Sequence, residues 1–249
     1  MLSIALVAFS LAGAESQASA LSEDQDVAEQ PEWEGTLGAG FSLSSGNTDR
    51  RSANALADAE LREEDRRYTL GFDWQYADEA EGGASELLER RAGVSGKVDF
   101  FLDDRSYLLL TSNVETDDKA LLDLRYSAGF GYGFQVAEEE GWTLSIEAGL
   151  SHINEEFVGV EEESYVSGRL GYALKRDLWG GWTLSQNGEI FPSFEESSDI
   201  YIEVDSRLRC DFSENLYGQF QWLFDWDNTP AVGAERDDHR LLFSVGYSF

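Results

Sequence analysis

From Trp33 to Phe249 apolar and polar residues alternate, and this period of two constrains the fold more than any other feature of the chain. In residues 33–44 one face reads Trp33, Gly35, Leu37, Ala39, Phe41 and Leu43. The other reads Glu34, Thr36, Gly38, Gly40, Ser42 and Ser44. Successive side chains of a pleated strand point to opposite faces, so the pattern predicts a strand with one apolar and one polar side. Such a run is about twelve residues long, against about 5–6 for the mean strand of a soluble protein. The pattern recurs near 33–44, 51–62, 67–77, 87–100, 106–116, 122–136, 142–153, 164–175, 182–192, 200–211, 216–226 and 238–249. The second run is poorer, with alanines on its apolar face (Ala53, Ala55, Ala57, Ala59), and the ninth carries Pro192 near its end.

The connections alternate too. Those after even-numbered runs are short (63–66, 101–105, 137–141, 176–181, 212–215), and several after odd-numbered runs are longer (78–86, 154–163, 227–237). Short turns at one end and longer loops at the other predict an all-β, up-and-down antiparallel transmembrane β-barrel of about twelve strands. An even strand number returns both termini to the short-turn, periplasmic end. Large aromatics fall at run ends: Trp33, Trp142 and Trp182 on the periplasmic side, Trp74, Tyr76 and Trp226 on the other. Two such belts are what two lipid–water interfaces select. Composition agrees, because Gly is abundant at 24 and Pro scarce at 3, and Pro removes a donor from a β-ladder.

The polar faces then need an interior. Alternation sends Asp58, Asp73, Arg91, Lys97, Asp99, Asp123, Arg125, Glu147, Arg169, Glu203, Asp205, Arg207 and Arg209 inward. So many ionisable groups do not enter a dry core unpaired. They argue against a soluble sandwich and for a narrow lumen, either hydrated or cross-paired into a charged plug. Twelve strands stand between eight-stranded barrels filled by side chains and 16–18-stranded porins with water-filled channels.

Residues 1–20 hold an apolar stretch, Leu2 to Ala14, followed by Ala18-Ser19-Ala20, a small-x-small site. This predicts a signal peptide cleaved near Ala20, although no Lys or Arg precedes the apolar stretch. Residues 21–32 read as an acidic periplasmic linker and 33–249 as the barrel. The net charge of −31, from 49 acidic and 18 basic residues, excludes nucleic acid as a partner, since phosphate binding needs clustered Lys and Arg. The acidic groups cluster at Asp78-Glu79, Glu115 with Asp117-Asp118, Glu155-Glu156, Glu161 to Glu163, Glu195-Glu196 and Asp237-Asp238. All lie on the outer side in this topology. Without the ligand spacing of an EF-hand loop, they predict at most diffuse association with divalent cations, bridging lipopolysaccharide phosphates.

No catalytic or cofactor motif stands out. His152 and His239 lie near outer strand ends, with Ser151, Ser164, Asp238 and Glu155 as nominal partners for a rim hydrolase. Gly129, Gly131 and Gly133 alternate with aromatics inside a strand, so they make room in a narrow barrel and do not cradle a phosphate. The lone cysteine, Cys210, falls on the lipid-facing side of the tenth run.

Three segments carry a family resemblance. They are the first-strand exit Leu43-Ser44-Ser45-Gly46-Asn47-Thr48-Asp49, the central Asp123-Leu124-Arg125-Tyr126-Ser127-Ala128-Gly129-Phe130-Gly131-Tyr132-Gly133, and the ending from Asp238 to Phe249. Together they resemble the YdiY-like family of salt-induced outer-membrane proteins, which carries a domain of unknown function. The resemblance covers roughly residues 33–249. It implies an outer-membrane barrel whose last strand, through Leu241, Phe243, Val245, Tyr247 and Phe249, is read by the barrel-assembly machinery. It implies no activity and no catalytic residues. The expectation is therefore an envelope or osmotic-adaptation barrel in contact with outer-membrane lipid and lipopolysaccharide, without cofactor or enzymatic role. The alternatives are a small cation-favouring pore, a rim lipid hydrolase and a secreted soluble β-protein.

Overall fold

The computed structural model describes residues 32–44, 49–81, 84–195, 199–230 and 235–249. The signal peptide expected over 1–20 and the linker expected over 21–32 lie outside the described residues, Glu32 excepted. The elements are twelve antiparallel strands: β1 Trp33–Ser44, β2 Asp49–Arg62, β3 Arg66–Glu81, β4 Ala84–Phe101, β5 Ser106–Asp117, β6 Leu122–Glu139, β7 Trp142–Phe157, β8 Glu163–Asp177, β9 Trp182–Pro192, β10 Ile200–Asp211, β11 Leu216–Asp227 and β12 Asp237–Ser248. Each pairs with its sequence neighbours, and β12 closes on β1 to complete a barrel. Closure joins the two end strands from Thr36 with Ser248 to Ala39 with Val245, and a closed ring is what lets alternating strands this long avoid edge-to-edge association.

The alternation is realised as expected: Phe72, Val94, Leu110, Phe130, Ile146, Leu170, Phe220 and Phe243 are exposed on the outside. The opposite parity is buried and mostly polar, including Asp99, Glu115, Arg125, Glu147, Ser167, Arg169 and Arg240. The loops differ from expectation. β3 and β4 run on until only 82–83 separate them, and β7 and β8 leave only 158–162, so the long loops expected at 78–86 and 154–163 are largely strand. Their acidic composition hid this: Asp78 and Glu155 are buried inward, and Glu155 is paired with Arg125 inside the barrel.

A second departure concerns Asp123. Both neighbouring ladders slip near the start of β6, between Leu122 and Leu124 and between Glu115 and Asp117. A bulge inserts an unpaired residue and reverses parity locally. Leu122 turns inward, 2% exposed, and Asp123 is exposed, so it does not line the lumen as alternation alone placed it.

Turns at the end carrying the termini are tight. Glu140 and Gly141 alone join β6 to β7, and Gly141 adopts φ +72°, a left-handed conformation that favours glycine. In the β4–β5 turn the backbone N–H groups of Arg105 and Ser106 donate to Asp103, holding its carboxyl below the usual range.

Tyrosines lie over paired glycines. Tyr107 faces Gly133 across β5–β6 and is wholly buried, and a Cβ at Gly133 would collide with its ring. Tyr217 stands in the same relation to Gly246 across β11–β12. The room left by these inward glycines is taken by aromatic rings. Gly133→Val is expected to lower stability to urea unfolding by about 1–3 kcal/mol, the range for overpacking a filled site. Gly96→Ala, where an added Cβ meets only Leu70 at 3.8 Å, is expected to leave the midpoint nearly unchanged.

Candidate functional site in the lumen

The inward charges meet one another across the barrel. Arg91 on β4 donates to Asp225 on β11, on the far wall, at 2.9 Å, and to Glu115 on β5 at 2.8 Å. Asp73, Asp117 and Glu203 complete its surroundings at 3.9, 3.7 and 3.9 Å. Arg240 on β12 reaches Asp117 on β5 at 3.2 Å and also bonds Asp225. Arg125 on β6 donates to Glu115 and Glu155, both at 2.6 Å, with its guanidinium 4.5 Å from the centre of the Tyr201 ring. Tyr201 in turn donates to Glu203 at 2.9 Å. These groups form one cluster in the half of the barrel away from the termini. Beside it Ile153, Tyr165 and Phe191 pack inward as an apolar patch against Tyr201.

A second cluster lies nearer the termini. Glu147 on β7 accepts from Lys97 on β4, from Arg169 on β8 at 2.9 Å and from the Tyr107 hydroxyl at 2.8 Å. Arg169 also bonds Glu189, and Arg67 donates to the fully buried Asp99 at 2.8 Å. Between the clusters Arg207 on β10 spans to Asp58 on β2 at 2.6 Å and holds Asp205, which Gln221 also bonds at 3.0 Å. Arg209 pairs with Asp211 at 2.7 Å and lies over the Tyr217 ring at 4.1 Å.

Thus Asp58, Asp73, Arg91, Lys97, Asp99, Arg125, Glu147, Arg169, Glu203, Asp205, Arg207 and Arg209 come together in the lumen, and Asp123 does not. Sequence reasoning missed Arg67, Asp225 and Arg240, and it placed Glu115, Asp117 and Glu155 in acidic clusters on the outer side. Parity was the available signal: each shares the inward phase of its strand. Two charges taken from water lose hydration that their attraction offsets only when geometry is good and the remaining lone pairs are bonded. Multidentate sharing brings Glu147 close to that condition, with three partners, whereas the Arg91 cluster gathers several acids but leaves Arg91 Nε and Arg240 Nε without a hydrogen bond.

Other expected features are placed as follows. Trp33 and Trp142 are exposed at strand starts, Trp182 opens β9 opposite Cys210, Trp74 stacks on Tyr76 at 6.3 Å, and Trp226 pairs with Ile202 near the far end. Leu241, Phe243, Val245, Tyr247 and Phe249 are exposed on the outer face, and Phe249 exchanges backbone hydrogen bonds with Gly35. His239 stacks on Trp222 and Phe224. His152 lies 3.2 Å from Ser164 Oγ on the exposed face, while Glu155 is committed to Arg125 inside. Among the described residues no carboxylate bonds His152, so the pair lacks the orienting member of a Ser-His-acid site. No group of three or more metal-ligating side chains is present among them either.

A family model described as a protein of unknown function, DUF481, matches residues 37–249. No curated relative matches the chain. Among solved structures, the NanC porin aligns over 87% of this chain and 98% of its own at 8% identity and a TM-score of 0.48. The translocator domain of the autotransporter NalP from Neisseria meningitidis aligns over 87% and 86% at 12% identity and 0.45. The KdgM porin in complex with disordered oligogalacturonate aligns over 88% and 99% at 9% identity and 0.44.

Proposed function

This chain belongs to the DUF481 family, and from that premise we propose that it is an outer-membrane barrel whose own ion pairs hold its lumen shut, serving envelope and osmotic adaptation. One observation carries the reading: Arg91 on β4 and Asp225 on β11, on opposing walls, are in hydrogen-bond contact at 2.9 Å. Side chains that touch across a lumen leave no room for a hydrated solute between them. A closed barrel adds protein to the envelope without leaking osmolytes, as an open porin would. Membrane insertion is supported by the exterior, where large exposed apolar side chains face outward on every strand but β10 and the alanine-rich β2. A continuous apolar surface of that extent is costly in water and is what a bilayer selects, which disfavours a secreted soluble protein.

In this reading the chain is exported with its signal cleaved near Ala20. Its last strand is recognised by the barrel-assembly machinery, and its outer face meets lipid and lipopolysaccharide. Divalent cations associate diffusely with acids at the rim, such as Glu161 and Glu162. No catalysis is assigned. The second reading is a small cation-favouring pore, which the acids around the far-end vestibule favour: Asp227, Glu235 and Asp238 beside Glu115 and Asp117. Osmotic swelling of proteoliposomes holding heat-modifiable, folded protein separates the two. The closed barrel predicts swelling in iso-osmotic sugar or potassium thiocyanate, whose anion crosses lipid unaided, no faster than in protein-free vesicles. Rapid swelling in the potassium salt, but not in the sugar, would establish the cation pore instead.

A further inference from the structure

The seam that closes the barrel is its weakest. β1 and β12 pair from Thr36 with Ser248 to Ala39 with Val245, extended by the Gly35–Phe249 bonds. The next shortest seam, β8 with β9, runs from Leu170 with Ile190 to Asp177 with Thr183. One step beyond Ala39, the backbones still approach so closely that a Cβ at Gly40 would strike the Phe243 carbonyl. Pairing then ends, leaving the far half of both strands unjoined. Burial reports the same gap: Phe41, Leu43 and Leu241 are 83%, 73% and 75% exposed, more than the belt residues that have neighbours on both sides.

The lumen wall behind this gap differs from the rest. Gln75 pairs with Asn54, Asn54 with Gly40, and Gln219 with Ser244. This uncharged row crosses the seam where its pairing stops. Asn54, Gln75 and Gln219 are 9%, 3% and 5% exposed, and the amide nitrogen of each, with the Gln75 oxygen, has no hydrogen-bond partner. Buried amides are nearly always bonded, so the closed seam leaves donors and an acceptor that an entering group would satisfy. Their chemistry is neutral, matched to hydroxyls, and the approach from outside is apolar.

We propose that the far half of the β1–β12 seam is a lateral port that takes a single-chain, neutral, hydroxyl-bearing amphiphile from the membrane. The headgroup bonds the Asn54, Gln75 and Gln219 amides, and the tail leaves between Phe41 and Leu241. The inference rests on the membrane-embedded reading above. It leaves the ion-paired clusters in place, since none of their charged residues belongs to this row.

The test uses folded full-length protein in liposomes with a monoacylglycerol carrying a diazirine beside its headgroup, and the labelled peptides are mapped by mass spectrometry. Labelling is expected on lumen-side residues of β1, β2, β11 and β12. In a Cys210→Ser background, a Phe41→Cys/Phe243→Cys disulfide is expected to cut lumen labelling at least tenfold, with recovery on reduction. Asn54→Ala/Gln75→Ala/Gln219→Ala is expected to lower it at least fivefold in protein that stays heat-modifiable. Labelling confined to the outer belt, labelling indifferent to the disulfide, or equal labelling by a diazirine-bearing fatty acid anion would each overturn the port as described. Loss of the heat-modifiable form already in the unmodified protein would instead contradict the membrane-barrel reading.

Discussion

Arg91→Ala is expected to lower the unfolding free energy of the barrel by about 3–5 kcal/mol, the range for removing one partner of a buried ion pair. The residue sits among Asp73, Glu115, Asp117, Glu203 and Asp225, so its loss leaves several acids facing one another across a narrow lumen. Arg125 and Arg240 compensate Glu115, Asp117 and Asp225 only in part. Urea unfolding of the refolded protein, read as a shift in midpoint at constant slope, measures the effect. In Arg91→Ala/Asp225→Ala the second substitution removes an acid that had lost one of its two partners, Arg240 being the other. The double variant is therefore expected to fall short of the summed single effects by about 0.5–3 kcal/mol, the coupling typical of side chains in one network. High salt should reduce these differences little, because buried pairs are screened far less than exposed ones.

Glu147→Ala is the second large effect, expected near the lower end of the same range at about 3 kcal/mol. It strips Lys97, Arg169 and the Tyr107 hydroxyl of a shared acceptor. The cost is smaller than at Arg91 because Lys97 keeps Asp99 at 3.3 Å and Arg169 keeps Glu189. Glu147→Gln preserves volume and an acceptor for Tyr107, and is expected to cost about 1–2 kcal/mol. If Gln and Ala proved equal, the charge and not the hydrogen bond would be the stabilising element.

Much of this fold was legible because a strand writes its orientation into sequence with period two. Phe130, Tyr132 and Phe134 against Gly129, Gly131 and Gly133 state which face is which, and the even number of such runs brings Trp33 and Phe249 to one end. What period two cannot register is an inserted residue. At Leu122–Leu124 a bulge reverses the phase, and Asp123 was assigned to the wrong face for that reason. Loop lengths failed for a related cause. Asp78, Asp117 and Glu155 look like loop acids in a linear reading, yet they lie near strand ends and are buried in the barrel. The clusters themselves were only half legible: parity can send Arg91 and Arg207 inward, but which acid each meets depends on which strands oppose across the lumen. Arg91 and Asp225 are 134 positions apart, and local pattern carries nothing about such a pair. The glycines were read as making room, and the structure adds that Tyr107 and Tyr217 fill it.

The central claim is that side chains from opposing walls bond across the lumen and close it. Single-channel recording of the refolded protein in planar bilayers tests it most directly. The account predicts no stable unitary steps from the unmodified barrel under moderate voltage, and their appearance when Arg91 and Arg240 are both replaced by Ala in protein that remains folded. Stable, uniform steps from the unmodified protein would contradict it.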